Sequence, residues 1–121
     1  MDLYKEEVMD HYENPRNQGE LSGDNIKSER DSNASCGDMV QYYLKIEEGK
    51  IVEAKWKGIG CAITTASASK LSEYIRGKKL SELANISDEQ MLAEAVGFEV
   101  NPGRIKCLTL PIKVIRKILG N

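Results

Sequence analysis

Three cysteines, each in its own local setting, are the residues here most able to do chemistry. Cys36 sits in Ala34-Ser35-Cys36-Gly37-Asp38, Cys61 in Gly58-Ile59-Gly60-Cys61-Ala62, and Cys107 in Arg104-Ile105-Lys106-Cys107-Leu108. An odd number cannot close into a complete set of disulfides. Each thiol lies where a helix or tight turn can begin, the usual setting of a nucleophilic or metal-binding cysteine. An acid, Asp38, stands two residues past the first. The simplest single account is one site made of Cys36, Asp38, Cys61 and Cys107, holding a metal ion, a metal–sulfur cluster or a sulfur atom in transit. Zinc accepts thiolate and carboxylate ligands in a tetrahedron. Iron–sulfur clusters are normally held by four thiolates, so an oxygen donor in place of one makes a cluster easier to lose. The separations are long and unequal, unlike paired C-x-x-C knuckles. On residue chemistry alone, each cysteine reads equally well as a small buried hydrophobe.

The elements that must position these groups follow from periodicity. Residues 2 to 13 are predicted as a helix with Tyr4, Val8 and Tyr12 on one apolar stripe, ended by Asn14-Pro15. Residues 17 to 35 are polar and predict a long loop, with an edge strand near Ile26 to Arg30. Val40, Tyr42, Leu44 and Ile46 alternate with polar residues over 39 to 46; Val52, Ala54 and Trp56 do so over 51 to 57. Glu47-Glu48-Gly49-Lys50 joins them as a hairpin turn. A helix is predicted from Ala62 to Arg76, stopped by Gly77, with Ile63, Ala66, Leu71, Tyr74 and Ile75 near one side. Another opens at Ser87, with capping-box spacing to Gln90, and ends at Gly97. Asn101-Pro102-Gly103 is a turn. Leu108, Ile112, Ile115 and Leu119 mark a last amphipathic helix; Pro111 fits only in its first turn, which sets the start near Cys107. Strands first and helices after predict an α+β fold, a small antiparallel sheet packed against several helices. Cys61 then precedes a helix and Cys107 opens one. Helix N-termini favour thiolates, and Arg104 and Lys106 push Cys107 the same way.

Size and charge limit the function classes. The 121 residues suit one domain, 1–121, with a real core and no internal repeat. With 17 basic against 19 acidic residues, the chain lacks the basic excess of a nucleic-acid binder. Its apolar runs are far short of the roughly 20 residues that span a bilayer. The acidic start Met1-Asp2-Leu3-Tyr4-Lys5-Glu6-Glu7 has no signal-peptide core. These features predict a cytoplasmic location, where thiols stay reduced.

The words around the cysteines resemble a known family. Asp10-His11-Tyr12-Glu13-Asn14-Pro15-Arg16-Asn17, Cys36-Gly37-Asp38, Gly60-Cys61 with the run Ala66-Ser67-Ala68-Ser69, and Arg104-Ile105-Lys106-Cys107 are similar, in order, to the iron–sulfur cluster assembly scaffolds: IscU, the N-terminal domain of NifU, and SufU. The resemblance implies that Cys36, Asp38, Cys61 and Cys107 form the assembly site. It implies that a cysteine desulfurase delivers sulfur as a persulfide, with Cys36, Cys61 and Cys107 as candidate acceptors. A transient [2Fe-2S] cluster then forms and passes to an apo iron–sulfur acceptor protein, and Zn2+ commonly fills the cluster-free site. Two departures matter. Asn101-Pro102-Gly103-Arg104-Ile105-Lys106 stands where IscU proteins have Leu-Pro-Pro-Val-Lys and a histidine before the last cysteine. The change counts against docking to a dedicated Hsp70-type chaperone. Arg-Ile-Lys-Cys is similar to SufU, yet the short stretch between Cys61 and Cys107 leaves no room for the SufU insertion. The chain ends soon after the last helix, so the further cluster-binding domains of full-length NifU are expected to be missing.

Other residues carry a bland reading beside a sharp one. His11, the lone histidine, reads as a packing or hydrogen-bonding residue at a helix end rather than a ligand. Lys106 is either a solvated charge or a cation that tunes Cys107 or pairs with Asp38. Trp56 reads as core. Thr64, Thr65, Ser67 and Ser69 read as small residues for close helix packing, and Lys113, Arg116 and Lys117 as a solvated face. Three functions compete: a cluster scaffold, a SufU-like zinc-dependent sulfur acceptor for a desulfurase, and a small zinc-stabilised interaction domain. A thiol oxidoreductase lacks its C-x-x-C. A cysteine hydrolase lacks a histidine near the site.

Overall fold

The computed structural model describes residues 3–35 and 37–120. In chain order it contains α1 (Leu3–Glu13), β1 (Ile26–Asn33), β2 (Asp38–Glu47), β3 (Lys50–Ile59), α2 (Ala62–Ile75), α3 (Leu80–Ala84), α4 (Asp88–Met91) and α5 (Ile105–Leu119). A π-helical turn, Leu92–Val96, continues α4, and a 3-10 turn, Pro102–Arg104, leads into α5. The sheet is antiparallel with order β1-β2-β3, and the fold is α+β.

The β2–β3 hairpin forms because its turn residues match the strands' twist. Glu48 (φ 52°) and Gly49 (φ 75°) are both left-handed, as a two-residue hairpin turn requires. Val40, Tyr42, Leu44, Ala54 and Trp56 are buried on the face that meets the helices. The predicted alternation fails at one point: Ile51 is buried and Val52 is 39% exposed. The ladder steps from Lys45–Glu53 to Ile46–Ile51, so Val52 sits in a bulge that shifts the inward-facing parity.

β1 runs to Asn33, beyond the predicted Arg30, and removes 26–33 from the predicted loop. Its side chains are mostly exposed and carry no apolar alternation; the strand is held by its pairing with β2. Part of the rest of the loop covers the outer edge of β3. Trp56 N–H donates to the Asn17 carbonyl and Gly19 N–H to the Trp56 carbonyl, both at 2.9 Å. The indole N–H of Trp56, as expected a core residue, reaches the Arg16 carbonyl at 2.7 Å.

α2 is the central helix. Thr64 and every residue from Ala66 to Ser72 are buried, because α1, β3 and α5 all pack on it. That environment explains the small-residue run, and it leaves the predicted Ile63 and Tyr74 only half-buried. α1 presents Val8, as predicted, and His11 to α2, while Tyr12 is 45% exposed, so of the predicted stripe Tyr12 gives way to His11; the side chain of Tyr4 lies outside the described residues. α5 begins at Ile105, and Pro111 is its seventh residue, not part of the first turn. Pro111 has no N–H to give the Cys107 carbonyl, yet the buried face of α5 supports the helix through it. Ser87 caps α4 by accepting from the Gln90 N–H at 3.1 Å, but the Gln90 side chain turns to Glu94 instead of completing the box. Arg116 is not part of a solvated face. Its guanidinium donates to Asp88 Oδ1 and to the Leu83 and Ile86 carbonyls, tying the α3–α4 segment to α5. None of the described helices is long and apolar enough to cross a membrane.

Candidate metal centre

Three elements deliver the candidate ligating groups. Asp38 is the first residue of β2, entered through Gly37, whose φ of 74° lets the chain turn sharply out of β1. Cys61 is the N-cap of α2, in an extended conformation, and its carbonyl accepts the first helical bond from the Thr65 N–H at 3.0 Å. Cys107 is the third residue of α5. That end of α5 is tied to β1 by buried Asn33, whose side-chain amide donates to the Lys106 carbonyl at 3.0 Å.

The two sulfurs and a carboxylate oxygen of Asp38, Cys61 and Cys107 all lie within 4.8 Å of one another. Asp38 and Cys107 are buried and Cys61 is half-buried. They face a cavity of about 400 Å³ that Ile59, Gly60, Arg104 and Lys106 also line. Cys36, the remaining member of the expected set, lies outside the described residues. Two thiols and a carboxylate are a donor set that fits zinc.

The two thiols differ. Burial pushes the Cys61 thiol up, but the Thr64 backbone N–H, the Thr64 hydroxyl and the Ile63 N–H outweigh it, and the net value falls below an ordinary cysteine's. Burial pushes Cys107 up to about 12, reinforced by the Asp38 carboxylate and by Cys61. The expected lowering at Cys107 is therefore reversed in the metal-free protein. Cys107 lies inside the first turn of α5 beside a carboxylate, while Cys61 is the residue at a true N-cap. Arg104 and Lys106 are exposed at the cavity rim.

Sequence reading missed two members of the site. Thr64 Oγ1 donates to Asp38 Oδ2 at 3.0 Å and lies 3.7 Å from Cys61 Sγ. Its place three residues after an N-cap cysteine was the available signal, since that position faces the cap. Gly60 has no Cβ where one would stand 2.9 Å from Thr64 Cβ and 3.0 Å from Asp38 Oδ1. His11 takes no part. Its Nδ1 is 2.7 Å from Ser69 Oγ on α2 and its Nε2 is 3.7 Å from Glu73, the packing role expected of it.

The chain as a whole is similar to known proteins. The model of the NifU-like N-terminal domain matches residues 3–121. The iron–sulfur cluster assembly scaffold protein IscU of Haemophilus influenzae is 35% identical, over 98% of this chain and 94% of its own. The zinc-dependent sulfurtransferase SufU of Bacillus subtilis is 33% identical, over 95% of this chain and 88% of its own. Among solved structures, a candidate cluster-assembly scaffold of the SUF system from Fervidobacterium islandicum AW-1 superposes with a TM-score of 0.77. It is 32% identical and covers 94% of both chains. With its length matched almost end to end, this chain belongs to the NifU-like N-terminal domain family of IscU- and SufU-type proteins.

Proposed function

We propose that this protein is a scaffold on which a [2Fe-2S] cluster is assembled from iron and persulfide sulfur, then passed to apo iron–sulfur acceptor proteins. The observation that carries the reading is the meeting of Asp38, Cys61 and Cys107 from three separate elements at one cavity. Cys36, adjacent to Gly37, completes the proposed ligand set, and Zn2+ is the proposed occupant of the same side chains when no cluster is bound. A cysteine desulfurase is the proposed sulfur source. A thiolate of this chain attacks the outer sulfur of the desulfurase persulfide; the new S–S bond forms as the old one breaks, and the desulfurase cysteine leaves as thiolate. The lowered thiol of half-buried Cys61 supports it as first acceptor over Cys107, which stays protonated until metal displaces its proton. Each sulfane sulfur then takes two electrons from an external reductant to become sulfide.

The test is anaerobic incubation with iron, a desulfurase, cysteine and a reductant, read by visible sulfur-to-iron charge-transfer absorption. The parent develops the colour and loses it to an apo-acceptor, while Cys61→Ser and Cys107→Ser stay colourless. A colourless parent refutes the scaffold reading.

One observation favours a second reading, a SufU-like zinc-dependent sulfur acceptor: Lys106 precedes Cys107 where the IscU pattern has a histidine. That reading expects tightly held zinc in the isolated protein and strong stimulation of desulfurase turnover without a stable cluster.

A further inference from the structure

The floor of the site holds a hydroxyl that the ligand set does not use. Thr64 is buried in the first turn of α2, and its hydroxyl touches ligands on two different elements: Asp38 on β2 and Cys61 at the N-cap of α2. A hydroxyl has one proton to donate. Here it goes to Asp38 Oδ2, fixing the rotation of a carboxylate that is itself buried. The missing Cβ of Gly60 leaves the space that lets Thr64 and Asp38 close on each other.

We infer that Thr64 is a positioning residue: its hydroxyl holds the Asp38 carboxylate in its metal-binding orientation and so sets how readily Asp38 leaves the metal. The inference rests on the proposed role of Asp38 as a ligand and deepens it. When the carboxylate swings away, Cys61 Sγ, 3.7 Å from the same oxygen, is the alternative acceptor. The departure of Asp38 therefore does not strand a buried donor, which keeps the exchange reversible.

The test uses the full chain loaded with Co2+, whose visible absorption reports coordination, and follows release to a chelator. Thr64→Val keeps the shape and removes the O–H. It releases Co2+ about tenfold faster, the scale of one hydrogen bond to a charged group, and its tetrahedral d–d absorption weakens as water enters. Thr64→Ser keeps the hydroxyl and stays close to the parent. In an Asp38→Ala background, Thr64→Val has no further effect, because its path through the carboxylate is gone. If Thr64→Val does not fold, Gly60→Ala serves instead, since its Cβ forces Thr64 and Asp38 apart and accelerates release in the same direction. Parent-like release from the variant used, equal acceleration by valine and serine, or persistence of the effect without Asp38 each overturns the inference alone. A parent that takes up no Co2+ overturns the reading of the site and this inference together.

Discussion

At the residue scale, the site is asymmetric. Two soft sulfurs and one hard carboxylate converge, and the carboxylate is the weaker, more exchangeable donor toward iron and zinc. For a cluster passed to an acceptor, unlike a single ion lost to a chelator, Asp38 is the donor that the acceptor's ligand replaces, so Asp38→Ala is expected to slow transfer several-fold, measured as the decay of visible absorption in the presence of an apo-acceptor. Faster decay than the parent's would refute the exchangeable-ligand role. The site residues that sequence reading found are those whose type announces chemistry, cysteine and aspartate. Thr64 and Gly60 escaped because a hydroxyl and a missing Cβ acquire meaning only from what stands opposite them.

At the element scale, the hairpin and α2 set the geometry. β3 hands the chain to Gly60-Cys61 and α2, so the approach of β3 to β2 fixes where Cys61 falls. Gly58 pairs with Val40, and a Cβ on it would stand 2.4 Å from the Met39 carbonyl oxygen. Gly58→Ala is expected to cost about 1–3 kcal/mol by forcing the strands apart, read as a lower midpoint in urea unfolding. A midpoint at the parent's value would show that the hairpin yields without strain. The β2–β3 hairpin was legible because half-burial writes an alternating pattern. β1 was read short because its exposed side chains write none, and α3 went unread because five residues hold too little periodicity.

At the scale of the whole molecule, the core and the metal site are separate. Val40, Tyr42, Leu44, Trp56, Leu71, Ile75, Leu110 and Ile115 are fully buried in a cluster that does not need the ligands to close it. Chelation is expected to leave a cooperative melt and to lower Tm by about 10 °C from a roughly hundredfold excess of metal over Kd. A chain left unfolded by chelation would instead be a zinc-stabilised domain. The α1–α2 contact adds a pH dependence. His11 is buried between Ser69 and Glu73, and desolvation, aided by Arg16 and Lys70, holds its pKa below the usual 6.5 against the opposing pull of Glu73 and Asp10. Below 6.5 the unfolded chain thus binds more protons than the folded one. This part of the stability is complete above 6.5 and is lost as pH falls toward the folded-state value. Urea midpoints of the parent should fall faster than those of His11→Gln over that window; parallel curves would remove His11 as the cause.

The sequence by itself determined the family, the α+β class, the paired strands and the candidate side chains that could hold a metal. These depend on residue type and on short-range periodicity, which one chain displays without folding. Only the tertiary structure decided which of Cys61 and Cys107 is the better thiolate, that Thr64 donates to Asp38, and that α2 is enclosed by α1, β3 and α5. Those properties come from groups far apart in the chain, and desolvation and hydrogen bonding act on distance in space, which periodicity does not encode.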